Sequence, residues 1–364
     1  MTLARAGYDL TVFGLWDNGL LEEESKEGFK VTRVKTFSSF LTGPLGRFIR
    51  FIEFTCKVSW RIKDMDMVHC HDYHPLPATL LAKLFFRSNF RIIYDAHEYE
   101  SQKLGLGKTS RVAIRVLEKL SSHFVDGFVT VSSSIMEAYE KLFAAIPRTL
   151  ILNCPLKWKK SSKNLYREKL NIPDQSLVGL YQGGFMPGRA ISILLQVFDG
   201  SVAKNIDFVF MGYPASTQSG RDTLALILKN AEKSKNIHFH ESVSSNSLKD
   251  YTSSADMGFC LIEDHCLSYR YSLPNKFFEY AMAGLPILVS DLPEMRKLVE
   301  KYNCGVICES VTPEGIAKGL KELLGQDLKK LGENSRKMAE DHSWEVQEEK
   351  LIKLYDRVLL KKAS

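Results

Sequence analysis

Lys276 and Glu279 stand three residues apart in the segment Tyr271-Ser-Leu-Pro-Asn-Lys-Phe-Phe-Glu-Tyr-Ala-Met-Ala-Gly-Leu-Pro. Its punctuation predicts a short apolar helix. Pro274 opens it, Gly284 stands just past its end, and Pro286 precedes the apolar run Ile287–Ser290. A helix that starts at the mouth of a parallel sheet presents free N–H groups and the positive end of its dipole, a seat for phosphate. Lys276 adds a full charge there. Glu279, one turn in, can accept hydrogen bonds from a vicinal diol such as a ribose, so the pair points to a nucleotide. Leu273, Pro274 and Asn275 form the mouth of that site. A second group lies in Tyr181-Gln-Gly-Gly-Phe-Met-Pro-Gly-Arg-Ala-Ile. Gly183 and Gly184 let backbone approach a ligand, and Arg189 can pair with diphosphate oxygens. The spacing is not that of a Walker A loop, and no Gly-x-Gly-x-x-Gly with a following acidic residue suggests a dinucleotide.

Histidines supply the other candidates. His97 follows the buried run Arg91–Tyr94 at its carboxyl end, where ligands gather in parallel sheets, with Asp95 and Glu98 beside it. His69, His71 and His74 cluster with Asp72, and strand alternation places His69 and His71 on one face. No cysteine or carboxylate is spaced along this stretch to complete a metal site, so the expectation is no bound metal, with His71 and Asp72 lining a cleft.

These residues need a frame, and the chain alternates short apolar strands with helices throughout, the pattern of α/β folds. Strands are expected at 9–14, 30–36, 67–70, 91–94, 127–131 and 149–152. After the lysine-rich stretch 157–164, which reads as a linker, they resume at 178–181, 207–211, 237–239, 257–261, 287–289 and 305–308. Helices are expected at 46–65, 75–86, 111–122 and 133–142. The architecture that follows is two doubly wound Rossmann-like domains facing across a cleft, residues 1–156 and 165–343. Residues 1–7 resemble the end of a helix with its glycine, and 8–14 a second strand. The strand and glycine loop that open a doubly wound domain are not in the sequence. We therefore expect a gap in the first domain's sheet, and weak activity from the chain as it stands.

In the 46–65 helix, Arg47, Arg50, Lys57 and Arg61 share one sector, with Phe48, Phe51, Ile52, Val58 and Ile62 in the adjoining arc. The stripe fits a core helix with snorkelling cations, and is also what a peripheral membrane helix shows. We expect the core arrangement. A formal net charge of +6 is too mild to argue nucleic-acid binding. Seven scattered cysteines, with no Cys-x-x-Cys pair, argue for a reducing compartment and against a disulfide framework. No apolar run approaches the ~20 residues that span a bilayer, so the expected location is the cytoplasm or the inner face of a membrane.

Taken in order, these segments resemble the family-four, retaining glycosyltransferases of the GT-B fold. The Leu273–Pro286 block resembles their donor-binding helix and the 181–191 segment their glycine-rich loop. Further similarities are Tyr94-Asp-Ala-His-Glu98, Phe128–Ser132, Leu152–Pro155, Phe210-Met-Gly212, Ser254-Ala-Asp256 and the closing helix from Trp344. The resemblance implies that residues 344–364 cross back onto the first domain and that Gly212 borders the nucleotide. It makes Arg189, Lys276 and His97 the catalytic residues, with His97 beside the donor sugar. It implies a nucleotide-diphosphate sugar as donor substrate, no bound cofactor, and a glycan or polyprenyl-linked glycan as acceptor. Members often carry a second glutamate eight positions before Glu279. Here Tyr271 stands at that position, which alters the contacts to the donor sugar but not those to the nucleotide. His71, Asp72 and Glu98 are the remaining residues of the acceptor or sugar side. A nucleotide-sugar epimerase of the same fold, or a non-catalytic nucleotide-sugar-binding fragment, are the competing readings.

Overall fold

The computed structural model describes residues 1–199 and 205–360. The chain forms two compact units. One holds residues 1–131, 135–151 and the chain from 348 onward; the other holds 132–134 and 152–347. Both are α/β, and their strands follow the periodicity closely, with ends shifted by one to four residues.

The first unit contains β1 (Leu10–Leu15), β2 (Glu23–Lys26), β3 (Phe29–Val34), β4 (Met67–His71), β5 (Arg91–Ala96), β6 (Gly127–Thr130) and β7 (Arg148–Leu150). They do not form one sheet. β1-β3-β2 is a three-stranded sheet and β4-β5-β6-β7 a four-stranded parallel one. β1 and β4 are each the end strand of their sheet, with no strand on the outer side among the described residues. β5 reads as a continuous apolar run because it is central, and Ile92–Ala96 are buried. β2 escaped the sequence reading because Glu-Glu-Ser-Lys shows no apolar alternation. It pairs antiparallel with β3 through the two-residue turn Glu27-Gly28, where Gly28 has φ +82.

Two helix expectations need correction. The helix read at 46–65 runs Gly43–Ile62, started by Pro44 in its first turn. Only its last turns bear out a core-facing arc: Val58 and Ile62 are buried, whereas Phe48 and Ile52 are 59% and 46% exposed. The helix read at 133–142 is two short ones, Ser133–Ala138 and Glu140–Phe143. The final helix, Trp344–Leu360, contributes its length from Glu348 to the first unit, where Val358 packs so closely that a Cβ on Gly127 would come 2.9 Å from it. Residues 361–364 of the expected crossing segment lie outside the described residues.

The second unit contains β8 (Leu177–Phe185), β9 (Ile206–Pro214), β10 (Ile237–Glu241), β11 (Met257–Cys260), β12 (Ile287–Ser290) and β13 (Gly305–Cys308). They form one parallel sheet in the order β10-β9-β8-β11-β12-β13. That is the 3-2-1-4-5-6 doubly wound order, with its switch point between β8 and β11. One face is filled by Phe198, Phe208, Phe210 and Phe259, with Phe198 stacked on Phe208 at 4.1 Å. Each such buried ring contributes ~1.5–3 kcal/mol of transfer free energy. Ser132–Ser134 join this unit rather than the first because Glu294 draws them in. Its buried carboxylate accepts from the Ser133 and Ser134 hydroxyls and both backbone N–H groups, at 2.7–3.1 Å.

Candidate functional site

In the second unit the polar residues gather at the switch point, at the carboxyl ends of β8 and β11. β8 is longer than its apolar core implied. Gly183 and Gly184 belong to the strand itself, paired with Gly212 and Tyr213 of β9, and not to a loop after it. Gly183 has φ +120, and a Cβ on Gly212 would fall on the Gly183 carbonyl oxygen. Two backbones thus meet without side chains between them, leaving open the space above the strand ends.

The loop that follows, Met186–Ala190, carries Arg189. Gly188 has φ +78 and Ala190, a non-glycine, φ +53. This conformation costs of order 1–3 kcal/mol and needs outside support. Glu263 supplies it: its N–H donates to the Gly188 carbonyl at 3.0 Å, and its carboxylate accepts from the Ala190 N–H at 3.2 Å. The Arg189 guanidinium lies 4.7 Å from the Tyr269 ring centroid, and its Nη1 is buried without a hydrogen-bond partner.

The helix with Lys276 spans Asn275–Met282. Leu273 is buried beneath its start, Pro274 is the extended N-cap, and Asn275 is exposed. Lys276 Nζ sits 3.7 Å over the Tyr181 ring, beside Gly183. Burial pulls its pKa down to about 7. Among the described residues, neither Arg189 nor Lys276 forms an ion pair. Glu279 is held one turn on by a hydrogen bond from the Gln182 side chain, whose carbonyl in turn accepts from Thr252 Oγ1 at 2.8 Å. Burial lifts the Glu279 carboxyl above its ordinary value, although the Gln182 bond acts the other way. Tyr271 caps the short helix Leu267–Arg270. Sequence reading missed Tyr181, Gln182, Thr252, Glu263 and Tyr269, because they reach the site from separate strands and loops.

In the first unit, β4 and β5 bring the histidines together in register, His71 opposite Asp95. The expectation that no carboxylate is placed to join His69 and His71 is wrong: Asp95 on the neighbouring strand stands between them. Its Oδ2 is 3.1 Å from His69 Nε2, 3.4 Å from His71 Nδ1 and 3.5 Å from His97 Nε2. A reading along one strand cannot see a partner supplied by the next. Burial disfavours the Asp95 anion, yet the His69 and His71 hydrogen bonds outweigh it and hold the carboxyl well below its usual range. Burial lowers His69, whereas the Asp95 bond raises His71.

Asp72 has φ +61; its backbone N–H donates to the Asp95 carbonyl at 2.8 Å and its Oδ1 accepts from the His97 N–H at 3.3 Å. Beside it lies the fully buried Glu100. Burial first, and the hydrogen bond to Asp72 second, push its carboxyl up to about 8. Lys103 reaches Glu100 at 2.8 Å and Glu98 at 3.7 Å. His74 stands outside the cluster, stacked on Tyr73 at 4.0 Å.

Residues 1–153 match the family model described as Glycosyltransferase Family 4, and residues 162–338 that of Glycosyl transferases group 1. A curated relative, the lipopolysaccharide 1,2-N-acetylglucosaminetransferase of Salmonella typhimurium, is 30% identical over 100 residues, 26% of either chain. The match thus spans about a quarter of that relative's length. Among solved structures, the sucrose-phosphate synthase from Thermosynechococcus elongatus superimposes with a TM-score of 0.80 at 18% identity, over 100% of this chain and 92% of that one. HepE from Anabaena, solved in complex with UDP-glucose, gives 0.70 at 13% identity, over 90% and 86%. Both share the fold of two Rossmann-like units. Two family models in tandem, over nearly the whole chain and on the two units described, make this protein a member of the group 1, family 4 glycosyltransferases.

Proposed function

We propose that the protein transfers a sugar from a nucleotide-diphosphate donor to a carbohydrate or lipid-linked carbohydrate acceptor, with retention of anomeric configuration. One observation carries the reading. Arg189 and Lys276 converge on the switch point of the second unit with no ion pair among the described residues, Glu279 acting on Lys276 only at longer range, and Arg189 Nη1 is buried and unsatisfied. Two basic groups desolvated without an ion-pair partner favour the arrival of an anion, which also restores the charge that burial disfavours on Lys276. A diphosphate fits the helix N-terminus, the glycine-lined strand ends and both charges. As the nucleotide diphosphate departs, these groups meet the growing negative charge without reorganising, which is usually the main source of rate enhancement in such a site. Glu279, held by Gln182, accepts from the ribose hydroxyls and so orients the donor. His97 takes the catalytic role on the sugar side that the family resemblance gives it, with His71, Asp72, Glu98 and Tyr271 as its surroundings. Both matched families are glycosyltransferases, which leaves the epimerase reading without support.

HepE binds UDP-glucose and the Salmonella relative acts on lipopolysaccharide, which supports a nucleotide sugar as donor and a cell-surface glycan as acceptor. No helix among the described residues is long and apolar enough to cross a membrane. Exposed Phe37, Phe40, Leu45, Phe48 and Ile52, beside Arg47 and Arg61, support a reading in which the protein makes peripheral contact with an anionic bilayer. The test is incubation with a panel of nucleotide sugars and glycan acceptors, followed by NMR coupling constants of the first-formed product. Transfer with the donor's configuration kept is the expected result. Binding without transfer, or an inverted product, rejects the reading.

A further inference from the structure

We propose that His69, His71 and Asp95, with His97 beside them, form a binding site for a transition-metal ion of the zinc class. The inference goes beyond the glycosyl-transfer reading and draws on the first unit alone. Three ring nitrogens, His69 Nε2, His71 Nδ1 and His97 Nε2, converge on a single carboxylate oxygen, Asp95 Oδ2, at 3.1, 3.4 and 3.5 Å. His71 Nδ1 and His97 Nε2 are 2.9 Å from each other. In a zinc site with bonds of about 2.0–2.1 Å, ligand atoms stand roughly 3.3 Å apart, and the Asp95–His69 and Asp95–His71 separations of 3.1 and 3.4 Å bracket that value. Two imidazole nitrogens held this close repel unless they share a proton or a cation.

The surroundings match those of metal sites. His69 Nδ1 is 2.7 Å from the Tyr355 hydroxyl, the outer contact that orients a ligating imidazole and sets its tautomer. Asp95 Oδ1 is buried with no partner, so the carboxylate directs its hydrogen bonds through the one oxygen the histidines share. The pieces are held from two elements in register: β4 supplies His69 and His71, β5 supplies Asp95, and His97 follows two residues on. The site is closed below and open above, His69 and Asp95 being 13% and 10% exposed at the side chain and His71 66%. An ion can therefore enter over His71. Two neutral imidazoles and one carboxylate are ligand chemistry of zinc and its neighbours, not of magnesium or calcium.

Cobalt and zinc titrations of the metal-stripped full chain test this, followed by visible absorption for Co2+ and calorimetry for Zn2+. One ion per chain is expected, with the d–d bands of four-coordinate cobalt. His71→Ala, at an exposed side chain that the fold does not need, should lower affinity at least tenfold. Tyr355→Phe, which keeps the ring and removes only the outer hydrogen bond, should lower it about 10–100-fold. His74→Ala should bind as the parent does. No stoichiometric binding, or parental affinity in His71→Ala and Asp95→Asn variants that circular dichroism shows folded, overturns the proposal. A further arm rests on the catalytic assignment of His97: zinc loading should then slow transfer. Stoichiometric zinc binding with undiminished transfer would leave the metal site standing and remove His97 from the chemistry.

Discussion

The second unit builds one six-stranded sheet and leaves its two site cations unpaired; the first builds two separate sheets and pairs nearly every charge it brings together. Neither Arg189 nor Lys276 forms an ion pair among the described residues, whereas Asp95 is ringed by three histidines and Glu100 is held by Asp72 and Lys103. A continuous sheet with a packed phenylalanine layer can hold uncompensated charge in place, because its stability comes from elsewhere. Two open-edged sheets have no such reserve. There the polar cluster supplies its own order, through hydrogen bonds between neighbouring strands.

The largest effect that would sharpen this contrast is catalytic. Arg189→Ala or Lys276→Ala should each lower turnover by ~10²–10³-fold, the usual consequence of removing one preorganised donor. Near-parental steady-state rates in both would dissolve the distinction between unpaired and paired sites. Next comes packing. A methyl on Gly212 meets the Gly183 carbonyl oxygen, whereas one on Gly14 in β1 meets nothing within 4 Å. Gly212→Ala should therefore cost about 1–3 kcal/mol or more, and Gly14→Ala within ~0.5 kcal/mol of nothing. Equal melting temperatures for the two variants would show that the second unit is not the tighter frame.

Proton linkage separates the units by sign. Lys276, pulled down to about 7, is neutral above that pH in the free protein, and a diphosphate must re-protonate it. Nucleotide affinity should fall by up to about tenfold per pH unit above 7, and Lys276→Met should flatten the profile. Glu100 carries the opposite lesson. Its folded value of about 8 lies above its ordinary 4.5, so the folded state holds a proton the unfolded state has lost. Its contribution to the first unit's stability should decline as pH rises from 4.5 to 8, and Glu100→Gln should remove that slope in pH-dependent melts. The smallest effect is at Glu279. Glu279→Gln keeps the shape and loses the charge, and should weaken ribonucleotide binding roughly tenfold. A parent that binds ribose and deoxyribose nucleotides equally well would show that Glu279 does not hold the ribose.

Where candidate residues lie on one element, the sequence sufficed to place them on it. Pro274, Lys276, Glu279 and Gly284 are set by helical spacing and punctuation, and the Asn275–Met282 helix presents them as read. Where a site is assembled across elements, spacing was silent. Gln182 and Thr252 hold Glu279 from a distant strand and a separate helix, and Tyr269 stacks on Arg189 from across the β8–β11 switch point. The helix Gly43–Ile62 marks another limit. Its composition admits a core arc or an interfacial one, and only the exposure of Phe48 and Ile52 in the folded chain distinguishes them.

The amino-acid sequence by itself determined the alternation of strands and helices and the family, since these depend on periodicity and on the order of segments along the chain. Tertiary structure alone decided that Gly183 and Gly184 extend a strand, that Glu263 braces the Arg189 loop, and that Asp95 joins His69, His71 and His97. Those are matters of register between strands and of which backbones approach within hydrogen-bonding distance of one another. Local spacing carries no record of either, because the partner residue is brought there by the sheet and not by the chain.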